Sequence, residues 1–458
     1  MVTTRDQVEA YTYESRRQVT SLMLGADEAV TDPRRRLNRS TIGGTVIAVL
    51  LMAGFGIAGF LGGGSGPALP GSGAVTVSGT GDHYVIVDGQ VHPALNLASA
   101  LLVGGGTLTE VRASALAGKP RGLPVGIPNA PDSLPSRDNL TIGAWTVCTV
   151  QSASLSAPPQ ITLLVGAGVS QGVVDSSAGV LAQLPDDSTW LISKGRRYKL
   201  TGNTRALLGL QRAATVRLPA EVLAVVPEGA EITQPRVPSG GAPTVSLPSS
   251  VSVGDVIQTR QTGVQSQFFV VEPDGLAPIS ELTYALLAAS GSRVDTIDPN
   301  VAVSAPQSHA TPPGSNTWPD RIPSPVGPQL DQPLCLSTTP GQTPGDAPWP
   351  LSVSLPPSVP SPAGLSSVTA KAGHVTTVRI PSGSGAVVRA SSAAGQDGVL
   401  TLVTDSGQRF PIPSSDAASR LHFDPSAARN VPLPFVTLLP AGPTLDPSAA
   451  AKEFVGGN

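Results

Sequence analysis

The most constraining feature of the sequence is an uncharged apolar segment near its start. Residues 42–61 contain no charged side chain, and about 20 such residues span the hydrocarbon core of a bilayer. Arg34, Arg35, Arg36 and Arg39 precede the segment, whereas no charge follows it directly. Because positive charge stays on the cytoplasmic side, we predict a single transmembrane helix, with residues 1–41 inside and residues 62–458 outside.

The alternative interpretation of this segment is a cleaved signal peptide. Signal peptides have shorter apolar cores and a small-residue cleavage site directly afterwards. Here the apolar core is long, the leading region is long as well, and no such site follows. The sequence therefore favours a permanent membrane anchor.

Composition limits what the exported region can be. Charged residues are 13% and aromatic residues 4% of the chain, and the net charge is −3. These values exclude a long coiled coil and a basic nucleic-acid footprint. The chain has 50 Gly and 46 Pro, which interrupt short apolar runs. This pattern is typical of many short strands with a few short helices, so we predict an α+β fold.

Four glycines mark a degenerate internal repeat. Each lies between two short apolar runs, and a short helical stretch follows; the glycines are Gly89, Gly195, Gly275 and Gly407. Asp-Gly at positions 88–89 and 274–275 favours tight hairpins, and Ser280 and Ser414 can cap the helices that follow. One β-β-α unit cannot bury its apolar face alone and must pack on a neighbour. The alternative is four unrelated hairpins.

These observations divide the chain into eleven segments. The predicted segments are a cytoplasmic arm (1–41), the transmembrane helix (42–61), a linker (62–75), repeat 1 (76–106), a first central-domain segment (107–182), repeat 2 (183–213), a central or connecting segment (214–261), repeat 3 (262–292), a second central-domain segment (293–394), repeat 4 (395–425) and a C-terminal segment with its tail (426–458). We expect residues 441–458 to bury little and to be mobile.

The two cysteines, Cys148 and Cys335, both lie in the region predicted to be exported. An even, low cysteine count in an oxidising compartment favours one disulfide. The alternative is two unrelated buried thiols. A bridge would join the insert between repeats 1 and 2 to the insert between repeats 3 and 4, so the two inserts would form a common central body.

Candidate catalytic residues lack the partners that catalysis requires. Residues 168–172 match the G-x-S-x-G nucleophile elbow around Ser170, but the elbow needs a following helix and a nearby His and acid. A strand-like run follows Ser170 instead. The one Gly-Lys pair, at Lys119, precedes a proline and lacks the first glycine of a phosphate-binding loop.

No metal-binding pattern is visible either. The histidines have no H-x-x-x-H or H-E-x-x-H spacing; they are His83, His92, His309, His374 and His422. Asp186 and Asp187 are adjacent, but their position just before repeat 2 favours a solvated turn. We therefore predict no catalytic, cofactor-binding or metal-binding residues.

The ordered combination of features resembles the EccB family, a core membrane component of the type VII (ESX) secretion system of actinobacteria. The resemblance rests on Thr3-Thr4-Arg5-x-Gln7-Val8, on Asp32-Pro33-Arg34 before the single span, on the four degenerate repeats and on the two distant cysteines. Asp27-Glu28 stands where the family has a basic stretch. The resemblance implies an elongated exported region of four repeats around a central β-domain, with Cys148 and Cys335 bridged there.

The resemblance also implies a function and partners. The implied function is a structural subunit of the secretion complex in the inner membrane, with the bulk of the chain periplasmic. The implied partners are the EccC motor ATPase, EccD, EccE and the mycosin protease, together with self-association in a ring-like complex and no nucleic acid. The alternative is a membrane-anchored exported ATPase or hydrolase, because the family carries an ATPase label. Only under that alternative would ATP be a cofactor.

Overall fold

A computed structural model describes most of the chain. The described residues are 3–24, 33–61, 69–151, 158–247, 251–260, 263, 265–341, 350–362, 364–370, 373–393 and 396–454. They form two compact units, Met1–Leu69 and Pro70–Asn458.

The first unit contains two helices, α1 (Thr4–Leu24) and α2 (Pro33–Leu61). Proline is favoured in the first turn of a helix, so α2 begins at Pro33, before the predicted 42–61 segment. Within α2, the stretch Ser40–Ile57 is long and apolar enough to cross a membrane, by length and composition. Its apolar side chains are exposed, as expected of a surface that needs an apolar environment.

The second unit begins with a four-stranded sheet. Its elements are β1 (Gly73–Val77), β2 (His83–Val87), β3 (Gln90–Pro93), α3 (Leu97–Val103) and β4 (Leu108–Val111). The strand order is β3-β2-β1-β4, and β4 is parallel to β1. Asp88 and Gly89 form the β2–β3 turn with φ of 50° and 77°, a conformation that this dipeptide adopts readily.

A hairpin and a second four-stranded sheet follow. The elements are β5 (Trp145–Val150), β6 (Gln160–Val165), β7 (Ala178–Gln183), β8 (Thr189–Ser193), β9 (Arg196–Leu200), α4 (Thr204–Leu207), β10 (Thr215–Arg217) and α5 (Ala220–Leu223). The order in the second sheet is β10-β7-β8-β9, with β10 parallel to β7.

The third four-stranded sheet has the same arrangement. Its elements are β11 (Val256–Thr259), β12 (Phe268–Glu272), β13 (Gly275–Ile279), α6 (Glu281–Ala289), β14 (Val294–Ile297) and α7 (Pro299–Ser304). The order is β13-β12-β11-β14, with β14 parallel to β11. The Ser280 side chain accepts a hydrogen bond from the Thr283 N–H at the start of α6, which confirms the predicted cap.

Five strands lie in the chain between the third and fourth sheets and join sheets whose other strands precede the third sheet. They are β15 (Ser324–Val326), β16 (Leu334–Thr338), β17 (Leu351–Ser354), β18 (Leu365–Thr369) and β19 (Thr377–Pro381). Strand β15 pairs in parallel with β7 and adds a fifth strand to the second sheet. We still group this sheet with the four-stranded sheets, because its strands β10-β7-β8-β9 match theirs. The other four strands join the β5–β6 hairpin in a six-stranded sheet of order β17-β16-β5-β6-β19-β18, which we call the central sheet.

The fourth four-stranded sheet ends the chain. Its elements are β20 (Gly385–Ser391), β21 (Val399–Thr404), β22 (Arg409–Pro411), α8 (Ser415–Arg420), β23 (Arg429–Pro432) and α9 (Leu433–Thr437), and α10 (Pro447–Ala450) follows. The order is β22-β21-β20-β23, with β23 parallel to β20. Ser414 caps α8 through the Ala417 N–H, as predicted.

Each four-stranded sheet is larger than the β-β-α unit predicted from the sequence. A first strand precedes each hairpin, and a last strand follows each helix. The last strand pairs in parallel with the first strand. Strand β1 thus begins at Gly73, inside the stretch 62–75 that we predicted as a linker. Parallel partners are separated by a whole hairpin and helix, so they carry no turn signal that would reveal them in the sequence.

Candidate functional site

A disulfide joins the two cysteines within the central sheet, across a sequence separation of 187 residues. Cys148 in β5 lies directly opposite Cys335 in β16, and both are fully buried beside Leu164. On the same face, the hydroxyls of Thr146 and Ser337 lie 2.8 Å apart. The bond therefore links the segment before the second sheet to the segment after the third sheet.

The opposite face of the central sheet is apolar and joins other sheets. Side chains alternate across a strand, so the neighbours of the cysteines point away from the disulfide. They pack in one core with the second and fourth sheets; this core includes Trp145, Val147, Leu163 and Leu336 of the central sheet, Val180 and Ile192 of the second sheet, and Val388 and Val403 of the fourth sheet. The central sheet is therefore held to two of the four-stranded sheets by shared burial.

The remaining sheets are attached in pairs. Helix α3 of the first sheet packs with the fourth sheet in a core that contains Leu102, Leu402 and Phe410. The second sheet packs with helix α6 of the third sheet in a core that contains Tyr198 and Leu286. Sheets one and four thus form one pair, sheets two and three form another, and the central sheet contacts one member of each.

The C-terminal segment corrects the expectation of a mobile tail for the residues that the structure describes there. Leu445 and Ala450 are fully buried in the core shared by the first and fourth sheets. Glu453 forms a β-bridge with Val125, and the Phe454 N–H donates to the Pro124 carbonyl at 2.7 Å. The segment has few apolar residues, but two of them at buried positions and a helix capped by Asp446 are enough to hold it.

A short extended segment covers the outer edge of each four-stranded sheet. In the first sheet, the Val91 N–H donates to the Pro120 carbonyl at 2.9 Å, and the Gly122 N–H donates to the Val91 carbonyl at 3.1 Å. The same two bonds occur in the other sheets, formed by Arg197 with Pro227 and Gly229, Leu276 with Pro306 and Ser308, and Arg409 with Pro440 and Gly442. We call these segments straps. They occupy edge groups that would otherwise pair with another chain.

Size complementarity fixes three of the straps. A Cβ atom at Gly122 would lie 2.1 Å from the His92 ring, and one at Gly229 would lie 2.4 Å from the Tyr198 ring. A Cβ atom at Gly442 would lie 2.2 Å from the Phe410 ring. The third sheet has Ala277 in place of the ring and Ser308 in place of the glycine, so a smaller neighbour accompanies the larger strap residue.

The second strap also has an electrostatic contact. Arg197 forms an ion pair with Glu228 at 2.8 Å, and its side chain is only 18% exposed. The guanidinium lies 5.2 Å from the centroid of the Trp190 ring. An ion pair that is partly shielded from water contributes more than a fully exposed one, so these contacts hold strap and sheet together.

The residues of the G-x-S-x-G match have a structural explanation. No helix follows Ser170 directly, since residues 171–177 are not helical, and Val173 instead forms a β-bridge with Ser354. The Leu355 N–H donates to the Gly172 carbonyl at 2.7 Å, and a Cβ atom at Gly172 would lie 2.3 Å from the Leu355 carbonyl oxygen. Gly172 therefore serves close packing against the end of β17.

The other candidate residues lie apart from one another. Lys119 directly precedes Pro120, the first residue of a strap. Four histidines have different partners: His83 contacts Thr76, His92 contacts the Leu123 carbonyl, His374 contacts Glu221 and His422 contacts the Gly106 carbonyl. Among the described residues, no group of three His, Cys, Asp or Glu side chains is close enough to hold a metal ion.

Asp186 and Asp187 lie in an exposed turn, as predicted. The Ser188 hydroxyl and N–H both donate to Asp186 at 2.6 and 3.0 Å. These hydrogen bonds favour the ionised carboxylate and lower the pKa of Asp186. The same hydrogen bonds fix the conformation of the turn.

The straps and the first and last strand of each four-stranded sheet are the features that sequence reasoning missed. A Pro-x-Gly or Pro-x-Ser tripeptide begins each strap, but such tripeptides are common in a chain with 46 Pro and 50 Gly. Only their placement one helix and one strand after each hairpin would distinguish them. The arrangement as a whole ties the sheets together through shared cores and through straps along their edges.

The sequence profile of a family described as type VII secretion system ESX-1, transport TM domain B, matches residues 1–455. Two similar proteins come from Mycobacterium tuberculosis. The ESX-2 secretion system ATPase EccB2 is 30% identical over 404 residues, covering 81% of this chain and 79% of that protein. The ESX-1 secretion system ATPase EccB1 is 27% identical over 464 residues, covering 99% of this chain and 95% of that protein.

Solved structures are similar as well. A chain of an intact ESX-5 inner membrane complex matches 100% of this chain and 97% of its own length, with a TM-score of 0.68 and 25% identity. A chain of the EccB3 dimer from the ESX-3 core complex matches 83% of this chain and 100% of its own length, with a TM-score of 0.68 and 26% identity. The chain therefore belongs to the EccB family of type VII secretion systems.

Proposed function

We propose that this chain is a structural subunit of a type VII (ESX) secretion complex in the inner membrane. The observation that carries the proposal is the set of shared cores, which tie four sheets and the bridged central sheet into one compact unit. Related chains occur in the ESX-5 inner membrane complex and in the EccB3 dimer of the ESX-3 core complex. Complex membership and self-association therefore have support from its relatives.

We propose further that the four four-stranded sheets are copies of one repeat around the central sheet. All four have the same strand order and the same parallel pairing of first and last strands. All four are covered by a strap that bonds the equivalent strand through equivalent groups. Such agreement in register supports duplication of one unit better than four unrelated hairpins.

For topology, we propose a cytoplasmic N-terminus and a periplasmic second unit. The arginines at positions 34, 35, 36 and 39 precede the candidate span, and positive charge stays on the cytoplasmic side. The disulfide in the second unit fits an oxidising compartment. An engineered cysteine at Ser15 should resist an impermeant thiol reagent in intact spheroplasts, and labelling there would overturn this orientation.

We propose the EccC motor ATPase, EccD, EccE and the mycosin protease as partners, with ring-like self-association. On this proposal the energy for export comes from the motor, and the present chain joins subunits across the membrane. A body built from several similar sheets offers large surfaces for such contacts.

A second candidate function is ATP hydrolysis, because the similar proteins EccB1 and EccB2 are named ATPases. A phosphate-binding loop of the G-x-x-x-x-G-K-[ST] type is absent from the sequence. The purified full chain should therefore show no ATP hydrolysis above that of a Lys119→Ala, Ser170→Ala double variant. Turnover that follows the chain through gel filtration and is lost in the double variant would contradict the structural role.

A further inference from the structure

Three of the four straps continue along the sheet edge beyond their first two hydrogen bonds. In the first sheet, the Val125 N–H donates to the Pro93 carbonyl at 2.9 Å, and the Leu95 N–H donates to the Val125 carbonyl at 3.0 Å. Val125 itself is buried. In the second sheet, Ile232 forms the same two bonds with Lys199 and Thr201 and is fully buried. The second half of a strap thus adds one buried aliphatic residue to the sheet edge.

The fourth sheet follows the same scheme with one bond fewer. The Leu445 N–H donates to the Pro411 carbonyl at 2.8 Å, and Leu445 is fully buried. The residue at the position of Leu95 is Pro413, which has no N–H to donate. All three straps therefore place Val, Ile or Leu three residues after their glycine.

The third strap leaves the edge after its first half. The Ser308 hydroxyl and the His309 N–H both donate to the Asp274 carboxylate. These bonds hold the pKa of Asp274 below its usual range. At the position of Val125, Ile232 and Leu445, this segment has Thr311, which is exposed.

The departure of the strap leaves two backbone groups of the third sheet open. The register of β12 and β13 directs the Pro278 carbonyl and the Ser280 N–H outward, at the positions that bond Val125 in the first sheet. Among the residues that the structure describes, no hydrogen bond reaches either group. Pro278 and Ser280 line a cleft of about 540 Å³ that Phe268 and Trp318 also border.

We propose that this cleft binds an extended segment of a partner protein that presents an aliphatic residue, in the way that the straps bind the other three sheets. The aliphatic residue would donate its N–H to the Pro278 carbonyl and accept from the Ser280 N–H, parallel to β13. Addition of a strand to an open sheet edge is a common mode of peptide recognition. Phe268, whose ring centroid lies 4.6 Å from that of Tyr284, supplies an apolar wall. Binding of this kind goes beyond the structural role proposed above.

A peptide taken from the chain itself tests the inference. The probe is a fluorescent peptide with the sequence of residues 229–236, which contains Ile232 of the second strap. It should bind the full chain in detergent micelles, as measured by fluorescence anisotropy. The same peptide with Ile232→Asp should bind about tenfold more weakly or not at all, because the buried aliphatic group is lost.

Two matched variants locate the site. Gln267 is exposed and lines the cleft, so Gln267→Trp should obstruct the cleft and weaken peptide binding about tenfold. Asp82 occupies the equivalent exposed position of the first sheet, so Asp82→Trp should leave binding unchanged.

Hydrogen exchange of the unsubstituted chain gives an independent measurement if a variant fails to fold. Bound peptide should slow exchange of a proteolytic fragment that contains Ser280 and leave fragments that contain the other straps unchanged. Absence of binding, equal binding by the Gln267→Trp and Asp82→Trp variants, or protection confined to the other straps would each overturn the inference.

Discussion

At the scale of single residues, the strap glycines are required for space. None of Gly122, Gly229 and Gly442 has a positive φ, so their backbone conformation does not itself require glycine. The neighbouring aromatic or imidazole ring leaves no space for a side chain at each glycine. These rings differ in how much room they have to move. Phe410 is 1% exposed, whereas His92 is only half-buried. A substitution at the glycine therefore tests how far each ring can move.

We predict that Gly442→Ala lowers the free energy of unfolding by about 1–3 kcal/mol, the usual cost of overpacking. Gly122→Ala should cost less, because the His92 ring can move toward solvent. Urea denaturation followed by tryptophan fluorescence measures both, and Gly71→Ala serves as a control without a clash, because no atom lies within 4 Å of a Cβ atom built there. A cost for Gly122→Ala equal to that of Gly442→Ala would show that ring freedom is irrelevant.

Because the Asp274 carboxylate has a lowered pKa, we expect the free energy of unfolding to depend on pH. Hydrogen bonds from the Ser308 hydroxyl and the His309 N–H lower its pKa in the folded chain, so the unfolded chain, with a pKa of about 3.9, binds the proton more tightly. Its stabilising contribution is therefore present above that value and lost as the pH falls through the folded pKa. Asp274→Asn should lower the urea midpoint at pH 7, and this effect should shrink as the pH falls below about 3.9. A difference that is independent of pH would contradict this.

At the scale of elements, local signals were predictable and distant pairings were not. The Asp88–Gly89 turn and the Ser280 and Ser414 caps follow from residue chemistry over a few positions. The parallel strands that flank each hairpin, among them the three-residue β10, depend on partners that are distant in the chain. The straps likewise form through contacts that no local pattern encodes. Shape complementarity, such as that of Tyr198 with Gly229, is visible only after the fold is known.

The disulfide belongs to this scale because it connects two strands of one sheet. The chain-entropy estimate for closing its loop of 187 residues is about 5 kcal/mol, and measured losses are about 2–5 kcal/mol. We predict that the free energy of unfolding of a Cys148→Ala, Cys335→Ala variant is lower by about 2–5 kcal/mol. Hydrogen exchange should increase in β5 and β16 more than in the hairpins of the four-stranded sheets. Uniform acceleration across all sheets would contradict a local role for the bond.

The C-terminal segment connects two sheets that are far apart in sequence. Leu445 is fully buried in the core that helix α3 shares with the fourth sheet. Leu445→Ala should therefore cost about 2–5 kcal/mol and accelerate hydrogen exchange in β1–β4, although these strands lie near the other end of the second unit in sequence. Thr444→Ala, at an exposed neighbouring position, is the matched control. Acceleration restricted to the fourth sheet would mean that the segment does not support the first.

At the scale of the whole molecule, the second unit is organised by contacts between segments that are distant in the chain. The central sheet draws strands from both sides of the second and third sheets, as a bridge between Cys148 and Cys335 requires. Sheets one and four share a core, although most of the sequence of the second unit separates them. Such connectivity couples neighbouring sheets, because loss of one sheet exposes part of the core of the next. A body with coupled sheets suits a protein whose role is to hold partners in place.

The most direct test of that role is to identify what the protein binds in its own membrane. The tagged full chain is purified from native membranes in mild detergent, and the proteins that elute with it are identified by mass spectrometry. A structural subunit of a type VII complex should elute at the size of a large assembly together with the motor ATPase, EccD, EccE and further copies of itself. Elution of the chain alone, at the size of a single copy in its micelle, would contradict the account.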